Sequence, residues 1–338
     1  MTTASNRPVN RKVVLVSHVN GLVGPEHFRI EEEAAGAPGE GQVLVETEYL
    51  SIDAFIRTSL NDVEGFHQKV AVGTPVVALG VGRVIESNAP GLAAGDTVTG
   101  GFGAQTHPLL PAAALQKVDA AVPPSAWLGA LGLTTGVTAY FGIVEVAQAK
   151  PDQTVVVSGA AGAVGSMASQ LAKIAGARVI GIAGGPEKTA FLTGTLGLDA
   201  AIDYKGEDVA ARLKALAPGG IDVFFDNVGG DILDAALDNL AERARVVICG
   251  AISQYNDQQN VKGPSRYLKL AERYARMEGY TVLHFTERFP QAYADLGRWL
   301  AEGRLVMPEQ VEHGIESFPG ALRKLFLGGN TGKMLVKP

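Results

Sequence analysis

The chain has 338 residues, a length that suits two domains, and its 46% hydrophobic and 19% charged residues rule out a disordered polymer. Acidic side chains outnumber basic ones, 35 to 29, for a formal charge of −6, and no basic run offsets this, which argues against a nucleic-acid partner. A single cysteine, Cys249, excludes an intrachain disulfide and any zinc site built on several cysteines.

The first twelve residues are polar and lack the apolar core of a signal peptide. The most apolar stretch, 155–172, is broken by Gly159, Gly162, Gly165, Ser166, Ser169 and Gln170, so no membrane span and a cytoplasmic location are expected. Short β-branched runs at 13–16, 43–47, 82–86 and 97–99, punctuated by glycine and proline, predict a small irregular β domain over 1–128. From 129 to 308 strands alternate with helices. Strands are predicted at 154–158, 178–183, 200–203, 221–226, 244–249 and 280–284, and helices at 209–217, 232–240 and 289–302. Between the first two strands, Val164, Met167, Ala168, Leu171 and Ile174 follow helical spacing, and Gly176 supplies a left-handed stop. The alternation predicts an α/β fold with a doubly wound parallel sheet of Rossmann type. The tail, 309–338, ends in a strand-like run at 334–337 and is read as returning to the first domain.

The chemistry concentrates at Ser158-Gly159-Ala160-Ala161-Gly162-Ala163-Val164-Gly165, which links a predicted strand to an amphipathic helix. Small residues there admit a pyrophosphate to the backbone, and the helix start offers free N–H groups and a positive dipole end. Ala160 stands where the usual motif has its first glycine. An NAD enzyme ordinarily carries Asp or Glu at the end of the second strand, where it binds the adenine ribose. Here that end reads Ile182-Ala183-Gly184-Gly185, with no acid and with Lys188 three residues on. Lys188 alone reads as a solvated helix residue, but the missing acid favours a 2′-phosphate and hence NADPH. The run 328–334, GGNTGKM, is one residue too short for a phosphate-binding P-loop and lacks its Ser or Thr. The six histidines show no ligand spacing, so no metal is expected. Cys249 reads as a small buried hydrophobe.

The segments GVTAYFG, VVVSGAAGAVGS, IAGGPEK, FFDNVGG, ICGAISQYN, RYLKLAERYARMEG and GGNTGKMLVK resemble the zinc-independent alkenal/one oxidoreductases of the medium-chain dehydrogenase/reductase superfamily. The resemblance implies a GroES-like first domain, a Rossmann domain for NADPH and a homodimer. It implies reduction of the carbon–carbon double bond of small α,β-unsaturated ketones and aldehydes. Gly162, Ala163, Val164 and Gly165 then hold the pyrophosphate, and Lys188 and Tyr204 the 2′-phosphate. Asn227 and the run Cys249, Gly250, Ala251, Ile252, Ser253, Gln254 and Tyr255 line the ribose and nicotinamide side. Leu283, His284, Phe285 and Asn330 close over the nicotinamide. Tyr267 falls where this branch has a tyrosine near the substrate carbonyl, and is the candidate catalytic donor. The branch's LDPYMR segment reads IDAFIR here, so a substrate-facing position carries Phe55 and lacks a hydroxyl. The segment 100–107 also departs from the branch. A quinone reductase of the same superfamily and a non-catalytic NADPH-binding protein stand as alternatives.

Overall fold

The fold is described from a computed structural model, over residues 7–63, 65 and 67–338. Two compact units are present. The first comprises Met1–Leu128, Glu309–Gly329 and Met334–Pro338; the second comprises Gly129–Pro308 and Asn330–Lys333.

In the first unit, β1 (Val9–Leu15) and β2 (Phe28–Ala34) form an antiparallel pair. The sheet strands are β3 (Gln42–Ser51), β4 (Leu79–Asn88), β5 (Thr97–Gly101), β6 (Leu109–Pro111) and β7 (Leu115–Lys117), with helix α1 (Ala54–Ser59) after β3. In the second unit, α2 (Thr138–Tyr140) sits between π-helical turns, Leu133–Val137 and Phe141–Ala147. It is followed by β8 (Thr154–Ser158), α3 (Ala163–Ile174), β9 (Arg178–Ala183), α4 (Pro186–Gly194), β10 (Ala200–Asp203) and α5 (Val209–Leu216). Next come β11 (Ile221–Asp226), α6 (Gly230–Asp238), β12 (Leu240–Ile248), α7 (Lys269–Glu272), β13 (Arg276–Gly279) and α8 (Phe289–Ala301). The chain then supplies β14 (Glu309–His313), α9 (Phe318–Phe326) and β15 (Lys333–Lys337). β14 and β15 complete the first unit's sheet, in the order β14-β15-β3-β4-β5-β7 with β6 also on β3.

The second unit's sheet runs β10-β9-β8-β11-β12-β13, every neighbour parallel. This is the 3-2-1-4-5-6 order of a doubly wound dinucleotide fold, whose switch point lies between the first and fourth strands, here β8 and β11. Helices cover both faces of such a sheet, so its central strands read as unbroken apolar runs. Val155, Val156 and Val157 of β8 and Phe224 and Phe225 of β11 are fully buried. One face packs Val156, Ile180, Ile202 and Phe224 with Leu213 of α5 and Leu237 of α6. The first unit has its own core, with Val43, Val45, Ile56, Phe102, Phe318 and Val336 among its members.

The strand expected at 280–284 is not one. β13 lies earlier, and Val282–Arg288 forms 3-10 turns on either side of a kink at Phe285, with Thr281 and His284 forming a capping box at the start. TVLHF carries β-branched and aromatic residues, but register with β12 decides: Arg245 faces Arg276 and Ile248 faces Gly279. As the last strand of the sheet, β13 has no second neighbour among the described residues and no need of an apolar run. β12 likewise begins at Leu240, four residues before the expected start, and ends before Cys249.

Candidate cofactor and catalytic site

The turn between β8 and α3 explains why Ala160 can stand in a glycine position. Gly159, one residue earlier, takes the left-handed conformation with φ +59°. Its carbonyl accepts the Gly162 N–H at 2.9 Å. Ala160 is buried and donates its N–H to Ile182 on β9 at 3.0 Å. Gly165 serves close packing: a Cβ there would lie 2.2 Å from the Gly159 carbonyl oxygen and 2.8 Å from Ala160 Cα, both backbone atoms. Gly162 precedes α3 with no side-chain cap, and its carbonyl accepts the Ser166 N–H. The N–H groups of Ala163, Val164 and Gly165 therefore lie ahead of the first intrahelical acceptor, in the position that binds anions. Gly332 donates its N–H to Ala161 at 2.7 Å, which brings Asn330–Lys333 beside this turn. Asn330 is buried, and its amide is used locally, on the Gly332 carbonyl at 3.1 Å.

At the switch point a side-chain clasp joins the two central strands. Ser158 Oγ donates to Asp226 Oδ1 at 2.7 Å and accepts the Asn227 N–H at 2.8 Å. Asn227 Nδ2 donates to the Ser158 carbonyl at 2.7 Å. Asp226 is buried and also accepts the N–H groups of Val228 and Gly229. Burial pushes its carboxyl up, against the pull of these donors. The DNVGG motif thus carries an acid that fixes strand ends. Its partner, Ser158, is 68 residues away, so spacing along the chain gave no sign of the pair.

The run from Cys249 to Tyr255 is laced onto the same strand end. Cys249 and Gly250 donate their N–H groups to the Asp226 carbonyl, Ile252 to Asn227 and Ser253 to Val228. Cys249 is partly buried, and desolvation pushes its thiol up to about 12. The Tyr255 hydroxyl accepts the Ala251 N–H at 3.1 Å, and burial pushes this phenol up as well. Gln254 Oε1 accepts the Lys262 N–H, and Ser253 Oγ donates to Val228.

At the tip of β9, Lys188 sits in the first turn of α4. Burial, and then neighbouring Lys205, push its ammonium below the ordinary value. Tyr204 follows the end of β10, and its N–H is bonded to Ala183 at 3.1 Å. The remaining expected residues are more dispersed. Phe285 stacks on Phe141 with ring centroids 4.6 Å apart, whereas Leu283 and His284 are exposed. Tyr267 is exposed on the turn before α7, a segment tied to α6 by Ser265 and Arg266 on Asp234. In the first unit, Phe55 on α1 lies 5.3 Å from the His67 ring, with Thr58 Oγ1 2.7 Å from His67 Nδ1. Among the described residues, no group of three or more His, Cys, Asp or Glu is placed to hold a metal ion.

These residues fit a dinucleotide: the turn is glycine-lined, the helix start is free, and the strand tip is cationic. Residues 11–118 match the N-terminal domain of oxidoreductase family, and residues 163–298 the zinc-binding dehydrogenase family. The NADPH-dependent curcumin reductase of Escherichia coli (strain K12) is 36% identical over 334 residues, covering 97% of this chain and 96% of that protein. The 2-alkenal reductase (NADP(+)-dependent) of Nicotiana tabacum is 38% identical over 334 residues, covering 97% of each. The solved structure of CurA in complex with NADPH from Vibrio vulnificus has a TM-score of 0.91 and 35% identity, covering 97% of this chain and 98% of that one. With the strand order and the turn already in place, this similarity over nearly the whole length means that the chain belongs to the medium-chain dehydrogenase/reductase superfamily, in its alkenal/one oxidoreductase branch.

Proposed function

We propose that the chain is an NADPH-dependent reductase of the carbon–carbon double bond in α,β-unsaturated ketones and aldehydes. The observation that carries this reading is the β8–α3 turn joined to the tip of β9, where residues 183–185 carry no acid of their own and Lys188 follows. Residues 129–308 form the cofactor domain in this reading. Residues 1–128 and the tail 309–338 form the substrate domain, with Phe55 on its substrate face. Relatives named as curcumin and 2-alkenal reductases support the substrate class.

Bound NADPH supplies a hydride. The chain's own contribution begins with anchoring: Ala163, Val164 and Gly165 offer N–H groups to the pyrophosphate, while Lys188 and Tyr204 face the 2′-phosphate. Asn227, held by Ser158, and the loop from Cys249 to Tyr255 shape the ribose end. Leu283, His284, Phe285 and Asn330 shield the nicotinamide. As the substrate double bond is reduced, negative charge gathers on its carbonyl oxygen. A phenol donor stabilises that charge. Phe55 has no hydroxyl to give, so Tyr267 is the donor in this reading and Tyr255 the reserve. In this reading the charge is met by hydrogen bonds. No helix among the described residues is long and apolar enough to cross a membrane, in keeping with a cytoplasmic enzyme. A second copy of the chain completes a homodimer through the exposed edge of β13.

The test is stopped-flow oxidation of NADPH and NADH by the full chain with an enone, an enal and a quinone. Faster turnover of enone and enal with NADPH is expected. Faster turnover of the quinone would make the chain a quinone reductase, and tight NADPH binding without turnover of any of the three would make it a non-catalytic binder.

A further inference from the structure

The tip of β9 carries a second lysine. A Cβ built on Gly184, the residue after β9, would lie 2.8 Å from Tyr204 Cε1 and 2.9 Å from Lys205 Cε. The Lys205 carbon chain therefore lies across the strand tip, in the space any larger residue at Gly184 would fill. Asp203, the last residue of β10, holds both sides of this arrangement. Its Oδ1 accepts the Gly185 N–H at 2.7 Å and the Lys205 N–H at 3.0 Å. Those two bonds hold its carboxyl below the usual carboxylate range. An acid near the adenine ribose ordinarily signals NAD. In this one, Oδ1 is committed to backbone donors. The nearby Glu207 is likewise engaged, pairing with Arg212 at 2.7 Å. Lys188 and Lys205 are close enough to repel each other, and a dianion placed between two such cations relieves that repulsion.

We propose that Lys205 is a second ligand for the 2′-phosphate beside Lys188, and that Asp203 is its positioning residue. Discrimination of NADPH from NADH then rests on a pair of lysines fixed by a neighbouring strand. This deepens the NADPH reading and rests on it.

Titration calorimetry of the full chain with 2′,5′-ADP and with 5′-AMP tests the proposal without turnover. The wild-type chain should bind 2′,5′-ADP more tightly. Lys205→Ala should lose about five- to tenfold in 2′,5′-ADP affinity, the low end for a charge-assisted bond because Lys205 is exposed, and should keep its 5′-AMP affinity. Lys205→Arg should restore binding. Asp203→Ala should show the same selective loss, and Asp203→Asn, which keeps an acceptor oxygen, should largely avoid it. Lys205→Ala within twofold of wild type on 2′,5′-ADP would overturn the role of Lys205. Equal loss of both nucleotides in Asp203→Ala would overturn the positioning role. A wild-type chain that binds the two nucleotides equally would instead remove the NADPH reading, and this proposal with it.

Discussion

Tyr267 is 57% exposed on the turn before α7, whereas the Tyr255 hydroxyl is held against the Ala251 N–H and its phenol is raised by burial. A donor that acts on charge developing in the transition state affects kcat more than ground-state binding. Tyr267→Phe keeps the ring and removes the donor, so kcat on an enone should fall about tenfold to a hundredfold, below the full cost of losing an oxyanion donor because water can reach so exposed a group. NADPH affinity should stay the same. If kcat is unaltered, the donor is Tyr255 or solvent, and Tyr255→Phe separates those two. Lys188 gives a second residue-scale prediction, with opposite signs for binding and stability. Lys188→Ala should weaken NADPH binding by about tenfold to a hundredfold, the loss of one charge-assisted hydrogen bond, and leave NADH nearly unchanged. Equal loss for both would detach Lys188 from the 2′-phosphate. Its folded pKa is lowered from 10.5, so the folded chain holds this proton less tightly than the unfolded chain does. The resulting destabilisation is absent above 10.5, grows as pH falls below 10.5, and reaches its full size once the pH is below the lowered value. Lys188→Met should therefore raise the thermal midpoint of the cofactor-free protein at pH 7 and show no gain near pH 11.

The β8–α3 turn lends itself to a comparison of Gly162 and Gly165, three positions apart and different in role. Gly165→Ala drives a Cβ into backbone at 2.2 Å, and backbone cannot swing aside. Gly162→Ala meets the Gly159 carbonyl at 3.3 Å, in a conformation open to any residue. Gly165→Ala should cost about 1–3 kcal/mol of stability by overpacking, and Gly162→Ala clearly less, measured by urea denaturation. Equal costs would mean that α3 can shift to absorb the methyl. This turn was legible in the sequence because local rules govern it: an apolar strand, small residues, helical spacing and Gly176 at the end, where φ is +85°. β8, β9, β10 and β11 fall on their expected bounds, and the three inner ones are near-continuous apolar runs because both their faces are covered. β13 was not legible. RMEG has no apolar pattern because an edge strand is held by its pairing to β12. Nor was the Ser158–Asp226 clasp, or the crossing of Lys205 over Gly184, because each joins residues that only the folded sheet brings together. The resemblance to a family added roles for Tyr204, Asn227 and Tyr267 that the residues by themselves did not supply.

For the whole molecule, the donor set predicts that purified protein carries no stoichiometric zinc and keeps full activity in EDTA. Zinc whose removal abolishes turnover would overturn the proposed mechanism. The edge of the large parallel sheet makes a further demand. All four residues of β13 are exposed, and Leu268, Tyr274 and Met277 put apolar surface on that edge and on the segment leading to it. An unpaired edge of this kind is a template for another strand. In the proposed homodimer a second copy pairs with it about a two-fold axis, the usual arrangement for homo-oligomers. Antiparallel pairing about a two-fold axis at Met277 sets Arg276 of one subunit opposite Glu278 of the partner subunit, so the strand complements its own charges. Sedimentation should accordingly show a dimer at micromolar concentration. Met277→Asp places two like charges at the axis and should shift the protein toward monomer. The β8–α3 turn and the tip of β9 are built wholly within the second unit, on strands two or more removed from β13. NADPH affinity should thus survive in the monomeric variant. A wild-type chain that sediments as a monomer would refute the dimer, and loss of NADPH binding on dissociation would show that the partner contributes to the cofactor site.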